Sequence, residues 1–121
     1  MKNINKIIKY NFYGQTYNLA LQIANYYINN EICINILYYD EDLESWEDFD
    51  TLTINLNLLK EEENEIFINS DISKDLIKKL EKLKIITLKN DIIHYNMGTY
   101  EKAFFNYDIA KKYIINEVNN D

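Results

Sequence analysis

The stretch from Ile32 to Tyr39 constrains the fold more than any other part of this 121-residue chain. Bulky apolar residues occupy every second position in it: Ile32, Ile34, Ile36 and Tyr38. Alternation with a period of two places successive side chains on opposite faces of a β-strand. The intervening residues are also mostly apolar, so this segment predicts a strand in the centre of a sheet.

Other segments predict further strands around this one. Ile7–Phe12 and Thr16–Gln22 flank a tight turn in which Gly14 stands where positive φ is needed, and together they predict a hairpin. The run 19–27 also fits a helical stripe, but its β-branched and aromatic neighbours favour a strand. The remaining predicted strands are 51–57, 65–69, 85–88, 92–95 and 103–107, with 85–88 and 92–95 pairing across Asn90-Asp91.

Two segments carry helical patterns. Ser73 is a predicted N-cap, and apolar residues then recur at helical spacing through Leu83; a second helix is predicted from an Asp108 cap to Val118. Strands come early and helices later, without regular alternation. The pattern therefore predicts an α+β fold: an antiparallel sheet of about five to seven strands with two helices, one in the middle of the chain and one C-terminal.

The core face of one predicted strand can be assigned. Leu52, Ile54 and Leu56 alternate with Thr and Asn, so we expect these three to face the core. Their expected neighbours are Ile34, Ile36, Leu76, Leu80 and Leu83. The length of the chain suits a single domain, residues 1–121.

The charge of the chain limits its partners. Twenty acidic residues face 13 basic ones, all of them Lys, giving a formal net charge of −7. Such a chain repels nucleic acid and anionic membranes on average and attracts basic surfaces. No apolar run approaches the ~20 residues needed to span a bilayer, and Met1–Tyr10 lacks a signal-peptide core, so we expect a cytoplasmic protein.

One segment concentrates the negative charge. Seven of the eleven residues from Asp40 to Asp50 are acidic, and the single Trp lies among them. Carboxylates steer a basic partner and an exposed aromatic side chain anchors it, so this segment predicts a docking surface. The predicted partner-binding residues are Asp40, Glu41, Asp42, Glu44, Trp46, Glu47, Asp48 and Phe49. The alternative is a solvated loop between two strands, with Trp46 or Phe49 folded back on the core.

The sequence lacks the motifs that usually mark catalytic and metal-binding sites. Asp40, Asp42 and Glu44 have the spacing of an EF-hand loop start, but Ser45 stands where that loop needs Gly and Thr51 where it needs Glu. We expect the lone cysteine, Cys33, and the lone histidine, His94, to be structural. No zinc pair, phosphate loop or nucleophile elbow is present. The sequence therefore predicts no enzymatic activity, no cofactor, no metal site and no catalytic residue.

Two other charged groups leave alternatives open. A lysine-rich stretch predicts either the wet face of an amphipathic helix or a phosphate-binding surface: Lys74, Lys78, Lys79, Lys82, Lys84 and Lys89. Glu61–Glu63 together with Glu65 form a second acidic patch, typical of a solubilising turn.

Several short motifs resemble a family of small domains of unassigned biochemistry found on phages and conjugative elements of Firmicutes and related bacteria. The motifs are Tyr13-Gly14, the strand at Ile32, Ile34 and Ile36 running into the acidic stretch, Leu52-Thr53-Ile54-Asn55-Leu56, Ile66-Phe67-Ile68-Asn69, and Phe105-Asn106. One region departs from the family: Leu88–Met97 replaces a Gly-rich stretch, leaving Gly98. The resemblance implies a mobile-element setting in a bacterial host and carries over no functional residue.

Together these observations predict a non-enzymatic, anti-CRISPR-like inhibitor from a mobile element. Its expected partner is a basic nucleic-acid-binding protein, such as a CRISPR effector, held by the acidic surface without direct nucleic-acid or membrane binding. Two alternatives stay open: a self-associating structural or assembly protein, for which a homodimer would suffice, and a nucleic-acid binder using the lysine-rich helix.

Overall fold

The computed structural model describes residues 6–26, 31–56 and 64–115 and shows an α+β fold with antiparallel sheets. The strands are β1 (Ile8–Phe12), β2 (Gln15–Asn25), β3 (Ile32–Asp40), β4 (Ser45–Thr51), β5 (Glu65–Phe67), β6 (Ile86–Tyr95) and β7 (Gly98–Phe105). The helices are α1 (Lys74–Lys82) and α2 (Tyr107–Ala110), and a short 3-10 helix follows at Lys111–Tyr113.

The strands form two sheets where the sequence predicted one. β1, β2, β3 and β4 make a four-stranded sheet in that order, and β5, β7 and β6 make a three-stranded sheet. Backbone hydrogen bonds connect the two sheets just after β4. The Leu52 amide donates to the Ile34 carbonyl (2.9 Å), the Ile54 amide to the Phe67 carbonyl (3.0 Å), and the Asn69 amide to the Leu52 carbonyl (2.9 Å). The chain thus crosses from one sheet to the other at this point.

A single hydrophobic core includes side chains from both sheets and from α1. The members from β1, β2 and β3 are Ile8, Tyr10, Leu19, Leu21, Ile34 and Ile36; α1 contributes Leu76, Ile77 and Leu80, and the second sheet contributes Ile66, Ile86, Ala103 and Phe105. β3 lies between β2 and β4. The prediction of a central strand at this position is therefore confirmed.

The first hairpin and the first helix agree with the sequence prediction. Tyr13 and Gly14 have φ of 50° and 78°, so both central residues of the β1–β2 turn adopt the left-handed conformation that such hairpins require. Ser73 caps α1, because its hydroxyl accepts a hydrogen bond from the Asp75 amide (3.2 Å). The same hydroxyl lies 3.2 Å from the Tyr10 hydroxyl, which connects the helix start to β1.

The strand predicted at 51–57 begins earlier than expected. The acidic residues of β4 pair with β3, whereas the following segment makes only an isolated bridge, Thr53 to Ile68. Leu52 and Leu56 are buried as predicted, but Ile54 is only half-buried. Thr53 is buried because its hydroxyl is used inside the protein: it accepts from the Ile34 amide (3.1 Å) and lies 2.8 Å from the Tyr26 hydroxyl.

The strands predicted at 85–88 and 92–95 are parts of one strand, β6. Asn90-Asp91 does not form the predicted turn; it lies in a bulge between Leu88 and Ile92, where Asn90 takes a left-handed φ of 58°. The turn comes later, at Asn96-Met97, and β7 starts at Gly98 rather than at the predicted Ala103. Asn favours a left-handed backbone both in turns and in bulges. The prediction of a turn at Asn90-Asp91 was wrong because the residues form a bulge instead.

The C-terminal helix is shorter than predicted. Asn106, not Asp108, precedes α2, and Asp108 lies in its first turn. After the 3-10 helix the chain becomes extended, and Ile114 makes a parallel bridge with Leu21 of β2. The rest of the predicted helix, 116–118, lies outside the described residues. So do Glu61–Glu63 and the Asn29-Asn30 pair, for which the sequence predicts a turn with a left-handed backbone.

Candidate partner-binding site

The acidic segment forms the β3–β4 hairpin. Asp40 ends β3, residues 41–44 make the turn, and Ser45 begins β4. The Asp40 Oδ1 accepts hydrogen bonds from the amides of Asp42 (2.9 Å) and Leu43 (3.1 Å), which fixes the turn as an Asx turn. Glu44 closes it with a left-handed φ of 53°. The alternative prediction of a solvated loop therefore holds for residues 41–44, whereas residues 45–50 belong to the edge strand β4.

The register of the sheet brings two turns to one end. Leu19 pairs with Tyr38 and the strands are antiparallel, so the start of β2 and the end of β3 are neighbours. The β1–β2 turn and the β3–β4 turn therefore lie at the same end of the four-stranded sheet. We call this the acidic-aromatic end and define it by these residues: Phe12, Tyr13, Tyr17, Tyr38 and the segment Asp40–Asp50.

Aromatic rings cluster at this end on the inner face of the four-stranded sheet, which is the face that packs against the hydrophobic core. The Phe49 ring centre lies 5.2 Å from that of Tyr17 and 6.2 Å from those of Tyr10, Phe12 and Tyr38. Phe49 reaches this cluster from a bulge, since Asp48 faces Leu37 and Asp50 faces Ile36. Centroid separations of this size are favourable for aromatic pairs. Phe49 is thus partly a packing residue as well as a member of the predicted docking surface.

Trp46 lies on the other face of the sheet. It pairs with Tyr39 across the two strands, and the rings meet edge to face at 5.3 Å. The Trp46 side chain is half-buried and does not belong to the core cluster, so Trp46 does not fold back on the core. Its ring is available in part to a partner on the outer face of the sheet.

The carboxylates of the segment make no ion pair with a lysine of the described ranges. Within the described parts of the chain, no lysine nitrogen lies within 4.0 Å of any of the seven: Asp40, Glu41, Asp42, Glu44, Glu47, Asp48 and Asp50. Three of them are used locally, since Asp40 holds the turn, Glu47 accepts a hydrogen bond from the Ser45 hydroxyl (2.5 Å), and the Asp50 Oδ1 accepts one from the Thr51 amide (2.8 Å). No lysine of residues 6–26, 31–56 and 64–115 therefore neutralises the negative charge of the segment through an ion pair.

The field of these carboxylates acts on Tyr38. Loss of solvent around the ring, together with the nearby charges of Asp40 and Glu47 and the Tyr17 hydroxyl, raises the pKa of Tyr38 above its ordinary value of 10.0. Burial and neighbouring negative charge both disfavour the phenolate. The region around this hydroxyl is thus unfavourable to an anion.

A groove of about 520 Å³ opens between the two turns. Its lining comes from Gln15, Thr16, Tyr17 and Asn18 of β2, from Tyr38, Tyr39 and Asp40 of β3, and from Glu41, Asp42 and Phe49. Beside it the turn tips expose apolar groups, with Tyr13 at 93% and Leu43 at 64% of full exposure. Exposed aromatic and aliphatic groups beside carboxylates are the composition expected of a docking surface.

The part of this candidate site that lies in the β3–β4 hairpin was predicted from the sequence, whereas the part from the β1–β2 hairpin was not. All eight predicted residues lie in the hairpin, but Trp46 is on the outer face while Phe49 is on the inner one. The contribution of the β1–β2 hairpin, with Tyr13 and Tyr17, was not predicted. Its Tyr13-Gly14 turn was visible in the sequence, but only the antiparallel register between β2 and β3 shows that it meets the acidic turn.

The second acidic patch and the lysine-rich stretch are partly structural. Glu65 is 1% exposed on β5, where its carboxylate is paired with Lys89 and lies 3.3 Å from the Lys102 ammonium. Lys89 also lies over the Phe104 ring, 4.7 Å from its centre. Glu65 is therefore not a solubilising surface residue, and Lys89 is not part of the lysine-rich helix.

The single cysteine and the single histidine lie in different sheets. Cys33 is half-buried on β3, and His94 is exposed on β6 opposite Thr99. Among the described residues, no group of His, Cys, Asp and Glu side chains is arranged to hold a metal ion. In the same ranges, no helix is both long and apolar enough to cross a membrane. Comparison of the chain with known protein families, curated proteins and solved structures found no match.

Proposed function

We propose that this chain is a binding protein that docks its acidic-aromatic end against the basic surface of a nucleic-acid-handling protein and inhibits it, as an anti-CRISPR protein would. The observation that carries the proposal is the set of seven carboxylates without a cationic partner in the described chain, placed beside exposed aromatic and aliphatic groups. A basic partner would supply the missing countercharge, and the apolar groups would provide buried contact area.

The charge distribution supports a basic partner over other classes. Like charges held close together oppose folding, so these seven carboxylates give the folded state no benefit through the charges themselves. A surface that normally receives phosphates presents lysines and arginines, and a cluster of carboxylates can occupy it in place of nucleic acid. The mobile-element setting implied by the family resemblance is one in which such inhibitors occur.

The proposal is tested with a triple charge reversal outside the groove: Glu44→Lys, Glu47→Lys and Asp48→Lys. A matched control carries Asp71→Lys, Glu81→Lys and Glu101→Lys, three exposed positions away from the acidic-aromatic end that change the net charge equally. Each protein is added to purified CRISPR effectors loaded with guide RNA, and cleavage of target DNA is measured at two salt concentrations. Pull-down from bacterial host lysate with the same three proteins extends the search to other nucleic-acid-handling proteins.

We expect wild type and control to capture a basic nucleic-acid-handling protein and reduce its activity, and the hairpin variant to lose both effects. Binding should weaken as salt rises, because surface charges are screened beyond about 8 Å at physiological ionic strength. If the hairpin variant captures and inhibits the same protein as well as wild type does, the proposal is wrong. Failure of wild type to bind any basic protein at low salt would also exclude it.

A second candidate function rests on α1. Lys74, Lys78 and Lys82 follow one another at four-residue spacing, and all three are exposed, so they form one basic stripe on the helix. Such a stripe can contact phosphates, although the net charge of the chain opposes it. Retention of labelled DNA or RNA by wild type, lost in Lys74→Gln with Lys78→Gln, would favour this function, whereas absence of retention at low salt would exclude it.

A further inference from the structure

The groove between the two turns differs from the rest of the acidic surface in having aromatic walls. Tyr17, Tyr38 and Phe49 line it, and their rings are close to one another: 5.9 Å between the centres of Tyr17 and Tyr38, and 5.2 Å between those of Tyr17 and Phe49. The first pair is nearly perpendicular, at 88°. These side chains are only partly buried, so ring surface remains available inside the groove.

The charged side chains that line the groove, among the described residues, are all carboxylates: Asp40, Glu41 and Asp42. Loss of solvent, and after it the charges of Asp40 and Glu47, raise the pKa of Tyr38, a residue that lines the groove. Polar uncharged groups complete the lining, with the Gln15 amide exposed and the Asn18 Oδ1 already accepting from the Lys9 ammonium (3.0 Å).

We infer that this groove holds an arginine-bearing segment of the partner, with the guanidinium between the aromatic walls and the carboxylates. A guanidinium stacks on aromatic faces and donates in a planar fork to carboxylates, whereas the lysine ammonium is a compact and strongly hydrated charge. The volume of about 520 Å³ is that of a ligand site, larger than one side chain requires. The inference rests on the proposed function, because it specifies which chemical group of the basic partner is recognised.

Asp40 gives the sharpest variant for a test. Its Oδ1 holds the turn by accepting from the Asp42 and Leu43 amides, and the side-chain carbonyl of an asparagine can accept both bonds. Asp40→Asn therefore removes the charge and keeps the turn. Asp71→Asn is the matched control, since Asp71 is an exposed carboxylate that does not line the groove.

The probes are two capped pentapeptides of equal charge, Gly-Arg-Gly-Arg-Gly and Gly-Lys-Gly-Lys-Gly, titrated into the protein and followed by amide chemical shifts in NMR spectra. We expect the arginine peptide to bind about two- to fivefold more tightly than the lysine peptide, as a stacked cation–π contact at a partly exposed site predicts. The shifts should map to the start of β2 and the end of β3. Asp40→Asn should weaken the arginine peptide several-fold, and Asp71→Asn should leave it unchanged.

The outcomes separate this inference from the proposed function. Equal binding of the two peptides, or shifts spread over the whole acidic surface, would overturn the arginine site even if the triple reversal at Glu44, Glu47 and Asp48 still abolishes partner capture. Selective binding of the arginine peptide that depends on Asp40 supports the site. It would support the site even if the triple-reversal variant still captured the partner. In that case the proposed docking surface is wrong and the arginine site stands.

Discussion

Phe49 provides the strongest test of how the acidic strand is held on the sheet. Its ring contacts those of Tyr10, Phe12, Tyr17 and Tyr38, so it connects β4 to β1, β2 and β3 across the inner face. Without this side chain the end of β4 would be attached to the sheet mainly through its backbone pairing with β3. We therefore expect Phe49→Ala to destabilise the protein although the residue lies in a highly acidic segment.

The magnitude follows from burial and ring contacts. Truncation of a fully buried Phe to Ala costs about 3–5 kcal/mol, and Phe49 is half-buried. Each aromatic pair adds roughly 0.5–1.5 kcal/mol beyond the buried area, although the pairs of one ring are not additive. We expect a loss of about 2 kcal/mol of unfolding free energy. For a domain of this size, that corresponds to a fall of about 8 °C in the melting temperature.

The assay is urea denaturation followed by circular dichroism, with calorimetry as a second measurement of the melting temperature. Trp46→Ala is the matched variant from the same strand, since its ring lies on the outer face and, among the described aromatic residues, pairs with Tyr39 alone. We expect it to lose less than Phe49→Ala does, since its half-buried ring has one aromatic partner among the described residues whereas the Phe49 ring has four. Phe49→Leu should fall between wild type and Phe49→Ala, because it keeps most of the apolar volume. Unchanged stability in Phe49→Ala, or a larger loss in Trp46→Ala, would refute the assignment of the two faces.

Two further predictions concern the segment after β4 and the tyrosine beside the groove. Leu52→Ala should cost about 3 kcal/mol because Leu52 is fully buried, whereas Ile54→Ala should cost less than about 1.5 kcal/mol; equal losses in urea denaturation would contradict the observed burial. The raised pKa of Tyr38 means that the folded state keeps the phenol proton in a pH range where the unfolded chain has lost it, so stability should fall as the pH rises above 10.0. Tyr38→Phe should show a shallower fall, and identical alkaline profiles for the two proteins would show that folding does not raise the pKa of Tyr38.

The parts of the fold that the sequence predicted are those in which local pattern and burial agree. In β3, Ile34 and Ile36 alternate and face the core, and in α1 the cap at Ser73 precedes apolar residues at helical spacing. β4 was missed because carboxylates are poor strand formers, and its position depends on pairing with β3 and on the ring of Phe49. Thr53 was taken for a solvent-facing residue, since only the fold shows that its hydroxyl has buried partners.

The candidate site likewise has one part that the sequence predicts and one part that it does not. The acidic segment was visible in the sequence because charge density needs no structure to be seen. The groove was not visible, because its walls come from β2, β3 and the Phe49 bulge, and only the register of the sheet brings Tyr17 next to Phe49. A site assembled from separate strands has no continuous signal in one sequence. Its chemistry can be read only after the pairing of those strands is known.

The acidic composition of β4 also bears on self-association. Within the described residues β4 is the last strand of its sheet, and an edge strand offers unpaired backbone groups to another chain. If the β4 strands of two copies paired, Glu47, Asp48 and Asp50 of each would face like charges across the new junction, which is destabilising. A strand or loop rich in Arg and Lys would meet opposite charges at the same edge. Added salt would relieve the repulsion between two copies but weaken attraction to a basic partner, so the two assemblies respond to ionic strength in opposite directions.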